Sequence, residues 1–299
     1  MELRVLRYFL AVAREENITK AAQFLHITQP TLSRQLRQLE EEFGVKLFRR
    51  SKHSIRLTEE GLLLRRRAQE VVELAEKTER EMMKRDEIIS GEITMGCGET
   101  VNLQYIADCM AAFRSRYPEV HFSIYTGMAD DVKERIERGL LDFGILIEPV
   151  DISRYDFIPL PAKDKWVALM NIDDPLAVKP FVTAADLQNR SLIVAGRESV
   201  NNMLRNWFGT MFAKKNVSVY MNLSAYNKTL LVRAGLGIAL GLDLEYNHDT
   251  MYTCPLEPPI DNGSFLVWKK NQFSSAAIEA FIAYSRTYLA HIAESLEES

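Results

Sequence analysis

At 299 residues with 47% hydrophobic side chains, the chain is long enough to bury substantial cores and to divide into two or three domains. Its apolar runs, such as VRAGLGIALGL, fall short of the roughly 20 residues that span a membrane, and three cysteines without metal-ligand spacing exclude a disulfide framework and fit a reducing cytoplasm. The net charge of −4 is uneven: residues 1–60 hold 11 Lys/Arg against 8 Asp/Glu, 61–90 hold 7 of each, and the remainder 19 against 26, so only the N-terminal segment meets phosphate favourably.

The opening MELRVLRYFLAVAREE lacks a small-residue cleavage site and reads as an amphipathic helix rather than a signal peptide. Its Leu3, Leu6, Leu10 and Ala13 recur at the spacing of one packed face. ITKAAQFL predicts a second short helix, in which Ala21 and Ala22 let another helix approach closely. A turn at His26-Ile27-Thr28 follows, with Thr28 as N-cap candidate and Pro30 in the first turn, where a missing N–H costs nothing. In the third helix Ile27, Leu32, Leu36 and Leu39 line one face while Gln29, Thr31, Ser33, Arg34 and Arg37 occupy another, and Gly44 marks its end. A short helix, a tight turn and a second helix exposing Gln, Ser and Arg form a helix-turn-helix. Arg can grip guanine O6 and N7, Gln can pair with adenine, and hydroxyls reach phosphates or base edges. KLFRRSKHSIRLT then alternates like a hairpin whose tip, Arg49, Arg50, Lys52 and His53, makes a basic wing.

The run ITKAAQFLHITQPTLSRQLRQLEEEFGVKLFRR, with TEEG after it, resembles the N-terminal signature of LysR-type transcriptional regulators. The resemblance extends across essentially the whole chain, more weakly after residue 90. It implies DNA-facing roles for Thr19, Gln29, Pro30, Ser33 and Arg34, and a wing role for Arg50 and Lys52. A dimerising linker helix, a homotetramer and a small-metabolite effector, often an acid, are implied in the same way.

Residues 58–88 carry one long helical pattern with Thr58 as cap, and Gly61, Leu64, Ala68, Val71, Ala75, Thr78 and Met82 approximate a coiled-coil seam. From Gly91 the period changes to strand, helix, strand, helix, strand, and the alternation restarts at Trp166. Two α/β lobes with parallel sheets and right-handed crossovers are expected, the strand FLVWKK and the last helix returning to the first lobe. The predicted fold is therefore a mixed α+β and α/β multidomain chain: a winged helix-turn-helix over 1–58, a linker helix over 59–90, and a two-lobe effector domain, like the periplasmic binding proteins, over 91–299. Lobe 1 takes about 91–163 and 264–299, and lobe 2 about 164–263.

Ligands of open α/β sheets sit beyond the carboxyl ends of the strands, near helix N-termini. Those positions nominate Gly98, Thr100, Thr126, Gly127, Glu148, Gly196, Ser199 and Tyr226 as effector-binding residues, with Thr100 and Ser199 facing each other from opposite lobes. Glu99 and Glu148 near the same cleft weigh against an anionic ligand. The glycines at 235, 237 and 241 miss the dinucleotide fingerprint and predict no cofactor. Cys97 is expected to be a buried small hydrophobe, the five histidines are scattered without metal spacing, and no catalytic constellation is present. The reading is a cytoplasmic, effector-switched DNA-binding regulator acting on a dyad-symmetric operator, with RNA polymerase a further partner if it activates. The alternative is a two-lobe small-molecule-binding protein or enzyme with an accessory helical dimerisation domain.

Overall fold

A computed structural model describes residues 1–50, 55–82, 89–211, 216–222, 225–244, 250–270 and 275–297, and divides the chain into two compact units, Met1–Arg85 and Asp86–Ser299. Lys52 and His53 of the expected wing tip lie outside the described residues.

The first unit starts with α1 (Leu3–Glu15), whose Leu6, Phe9 and Val12 are buried at helical spacing. Asn17 caps α2 (Ile18–Phe24), its side chain accepting from Lys20 N–H at 3.0 Å. Ala21 and Ala22 are buried, and α3 (Gln29–Phe43) packs against this small-residue face with Leu32, Leu36 and Leu39 inside. Pro30 lies in the first turn of α3, and Gly44, at φ 68°, ends the helix in the left-handed conformation. Thr28 stands at the cap position without capping: its hydroxyl is 2.8 Å from that of Thr31.

Strands β1 (Phe48–Arg50) and β2 (Ile55–Leu57) pair antiparallel as the wing. Thr58 caps α4 (Glu59–Met82), accepting from Gly61 N–H at 3.0 Å and donating to Lys46 O at 2.6 Å. A Cβ on Gly61 would stand 2.1 Å from Leu47 O, so the approach of α4 to the wing requires glycine.

The expected α4 seam is corrected here. Ala68 is buried in the core shared with α1, Leu64 packs against that core, and Val72, outside the predicted seam, is buried with them. Val71 faces outward with Leu63 and Leu74 instead, 45%, 56% and 42% exposed. A small-residue stripe satisfied the heptad spacing because α1 lies against it.

The second unit holds two sheets. The first has the order β4 (Val120–Thr126), β3 (Gly91–Cys97), β5 (Phe143–Ile147), β13 (Ser264–Lys269), β6 (Tyr155–Pro159). Helices α5 (Leu103–Arg116) and α10 (Ala276–Glu297) share one core with Phe143, centred on Phe113 and Phe281, and α6 (Ala129–Glu137) contributes Val132 and Ile136 to another. The second sheet runs β11 (Met251–Pro255), β7 (Asp164–Asn171), β10 (Ile238–Leu242), β8 (Leu192–Ala195), β9 (Val217–Met221), with β12 (Asp261–Asn262) also on β7. The short α7 (Ala184–Leu187) and α8 (Glu198–Phe208) share one of its cores, and α9 (Ala225–Arg233) contributes Val232 to the other.

Neither sheet is all-parallel, which corrects the second expectation. In each lobe the strand that arrives from the other lobe runs against its neighbours: β13 is antiparallel to β5 and β6, and β7 to β10 and β11. The crossovers are residues 160–163 and Gly263, each carrying the chain directly from one sheet to the other. Both are fastened by polar groups buried where the lobes meet. Asn102 donates to Ala162 O and to Ser264 Oγ, each at 2.8 Å, and Asp164 accepts from the Thr100 hydroxyl at 2.8 Å and from Val101 N–H at 3.0 Å. Burial raises the Asp164 pKa above the ordinary carboxylate value, against the hydrogen bonds of Thr100 and Val101.

Candidate functional site

Two surfaces carry chemistry. On the first unit, α3 hides its leucines and exposes Gln29, Pro30, Arg34 and Arg37, with Thr31 and Ser33 half-buried between them and Thr19 exposed on α2. Gln29 Nε2 donates to Ser33 Oγ at 3.0 Å, so polar side chains one turn apart are already ordered along the helix. Neither Arg34 nor Arg37 has an ion-pair partner among the described residues, which leaves two guanidinium groups free to grip base edges or phosphates. Arg49 is exposed on β1; Arg50 closes that strand, and its side chain lies outside the described residues, as Lys52 does entirely.

Behind this face, Glu40 is only 5% exposed. It accepts from Leu47 N–H at 2.9 Å, from Phe48 N–H at 3.2 Å and from Lys46 Nζ at 3.0 Å. Burial opposes its charge, but Lys46 and the two backbone donors prevail and hold its pKa below the usual value. An acid on α3 thereby fixes the start of the wing.

On the second unit, a cavity of about 140 Å³ opens between the lobes at the carboxyl ends of β3, β5, β8 and β10. Gly98, Glu99, Gly127, Met128, Ile147 and Glu148 line it from lobe 1, and Trp166, Arg197, Val200, Asn222, Lys228 and Leu240 from lobe 2. Two contacts join the lobes through residues that line it. The Glu99 carboxylate accepts from Ala225 N–H, at the start of α9, at 3.0 and 2.9 Å, and Arg197 donates twice to Asp130 on α6, at 3.2 and 3.3 Å.

Three of the expected effector residues line the cavity: Gly98, Gly127 and Glu148. Five do not. Thr100 is turned into the lobe junction and its hydroxyl is taken by Asp164, so this expected ligand residue is corrected to a fastening of the crossover. Thr126 is exposed on the edge strand, Tyr226 points to solvent at 63% exposure, and the Gly196 N–H is used by Asn222 Oδ1 at 2.8 Å. Ser199 lies in the first turn of α8 off the lining, its Oγ buried without a partner among the described residues. Arg197, Asn222 and Lys228 were missed, because single polar residues within lobe 2 carry no periodic signal.

Cys97 is buried, and burial pushes its thiol up, away from the reactive thiolate. Among the described residues no group of three or more His, Cys, Asp and Glu is placed to hold a metal ion, and no helix is long and apolar enough to cross a membrane.

Residues 3–62 match the family profile described as bacterial regulatory helix-turn-helix protein, LysR family, and residues 87–290 match the LysR substrate binding domain. The chain is 30% identical over 301 residues to the Hca operon transcriptional activator HcaR of Escherichia coli (strain K12), covering 98% of this chain and 99% of that one. Its fold is similar to HinK, a LysR family transcriptional regulator from Pseudomonas aeruginosa, with TM-score 0.57, 26% identity and coverage of 96% and 98% of the two chains. CbnR complexed with its target DNA is similar in fold, with TM-score 0.70, 20% identity and coverage of 96% and 100%.

Proposed function

Because the chain belongs to the LysR family of bacterial transcriptional regulators, and is a ligand-responsive DNA-binding regulator rather than an enzyme, we propose that the polar face of α3 reads a dyad-symmetric operator in double-stranded DNA under control of an effector bound between the lobes. In this reading Gln29, Arg34 and Arg37 meet base edges in the major groove, Thr19, Pro30, Thr31 and Ser33 seat the helices against the backbone, and Arg50 with Lys52 provides the wing. Self-association through the outward Leu63, Val71 and Leu74 of α4 supplies the two-fold axis that a palindromic site demands, and a further contact between second units makes a tetramer. HcaR is named an activator, which supports RNA polymerase as a partner in the cytoplasm.

The observation that carries the reading is the division of α3, with three leucines at or below 1% exposure on one side and, on the other, guanidinium groups without an ion-pair partner among the described residues. An enzyme or a solute-binding protein has no use for that face. Pull-down of host genomic DNA by the full-length chain tests it. Recovered fragments are expected to share a motif with dyad symmetry, and fragments sharing none would remove the sequence-reading role.

A further inference from the structure

The polar contacts that join the lobes fall into two groups. One fastens the crossovers, where Asn102 holds Ala162 and Ser264, and Thr100 holds Asp164. The other joins four groups from four different elements around the cavity. Glu99, in the turn after β3, and Asp130, in the first turn of α6, belong to lobe 1; Arg197, the residue before α8, and Ala225, the first of α9, belong to lobe 2.

Each of these contacts answers the electrostatics of a helix end. Arg197 stands at the positive end of α8, where a cation is disfavoured, and its guanidinium donates to both carboxylate oxygens of Asp130. The Arg197 side chain is 16% exposed and that of Asp130 66%, so the carboxylate meets a largely withdrawn cation from the solvent side. Glu99 brings its charge to the N-terminus of α9, on the Ala225 N–H. Lys228, three residues further along α9, is pulled below the ordinary lysine value by burial, while the charge of Glu99 acts the other way and favours the ammonium. Attraction therefore runs from lobe to lobe at both places.

We propose that the Arg197–Asp130 pair and the Glu99–Ala225 bond are the two halves of one latch, which open together as the lobes rotate about the fastened crossovers and set how often the cavity lining is exposed. Each lobe presents its groups from elements packed on a single sheet, β3 and α6 on the first, α8 and α9 on the second. A shift that parts Arg197 from Asp130 thus carries Ala225 away from Glu99. Loss of one contact raises the open population that the other reports. The latch stands without the effector reading; its consequence, control over access of a ligand to the cavity, rests on that reading.

Hydrogen–deuterium exchange on the full-length chain, read at the Ala225 amide, tests the latch, because a protected amide exchanges at a rate set by the population in which its contact is broken. Ala225 opens α9 and its N–H has no acceptor within the helix, so its protection reports on Glu99. Asp130→Asn removes one charge at an exposed position and leaves Glu99 untouched. It is expected to speed Ala225 exchange about two- to five-fold, the range that loss of an exposed ion pair allows, while the Gly263 N–H, held by Glu148 at the crossover, keeps its rate. Arg197→Gln should act alike and add nothing to Asp130→Asn, and the swapped pair, Asp130→Arg with Arg197→Asp, should recover part of the protection. Circular-dichroism melting identifies any variant that fails to fold, and Asp130→Asn then carries the comparison. Unchanged Ala225 exchange in Asp130→Asn would mean two independent contacts and overturn the latch. An unprotected Ala225 amide in wild type, or acceleration that spreads equally to Gly263, would overturn it as well.

Discussion

Glu40 shows what one residue does for the DNA-reading unit. Truncation to Ala strands the Leu47 and Phe48 N–H groups in a buried site, and an orphaned buried donor costs about 1–3 kcal/mol. Glu40→Ala is therefore expected to lower the urea midpoint of the first unit's transition, while Glu40→Gln, which keeps an acceptor oxygen, loses less. The pH dependence has a definite sign. The folded pKa of Glu40 lies below its unfolded value, so its contribution is present above the unfolded pKa and lost as pH falls through the folded one. Unfolding titrations at descending pH should show wild type converging on Glu40→Ala; a constant gap would assign the loss to packing instead. Thr100 carries the second prediction at this scale. Thr100→Val removes a donor to a carboxylate already disfavoured by burial, so it should destabilise the second unit by about 1–3 kcal/mol. Effector affinity measured where the variant remains folded should be unchanged, and a loss of affinity without a loss of stability would return Thr100 to the ligand site.

Among the elements, α3 was the most legible in sequence, because its leucines repeat at helical spacing and hydrophobic periodicity reports directly on which face is buried. The same signal misled on α4. Periodicity marks a stripe that packs but not what it packs against, and the stripe through Ala68 belongs to α1. The crossover network was illegible for a different reason: Asn102 reaches Ala162 and Ser264 from 60 and 162 positions away, and no local window contains such a contact. Strand-end positions located the cleft at Gly98, Gly127 and Glu148, yet the side chains facing into it depend on how two lobes meet, which is why Asn222 and Lys228 carry no signal in the sequence. Val71 is exposed on the free side of α4, so Val71→Glu should leave the unfolding transition of the first unit unchanged while driving the chain towards monomers in sedimentation velocity. Retained assembly would remove the outer face of α4 from the interface.

For the whole molecule, the distribution of charge and the two sites describe one device. In the proposed reading, the basic residues of the N-terminal sixty supply attraction to any duplex, and the α3 side chains convert attraction into preference. A ligand in the second unit alters operator binding only by the difference in its affinity for the two states, and the operator alters ligand affinity by the same factor. All of this depends on α3 reading bases. The direct test is competition binding of the full-length chain, at one fixed salt concentration, to a pulled-down genomic site and to random duplex, for wild type and Arg34→Ala. The account predicts that wild type prefers the genomic site by a factor on the order of 10³ or more, and that Arg34→Ala loses about 1–3 kcal/mol there with much less change on random DNA. Equal loss on both duplexes, or no preference by wild type, would contradict it.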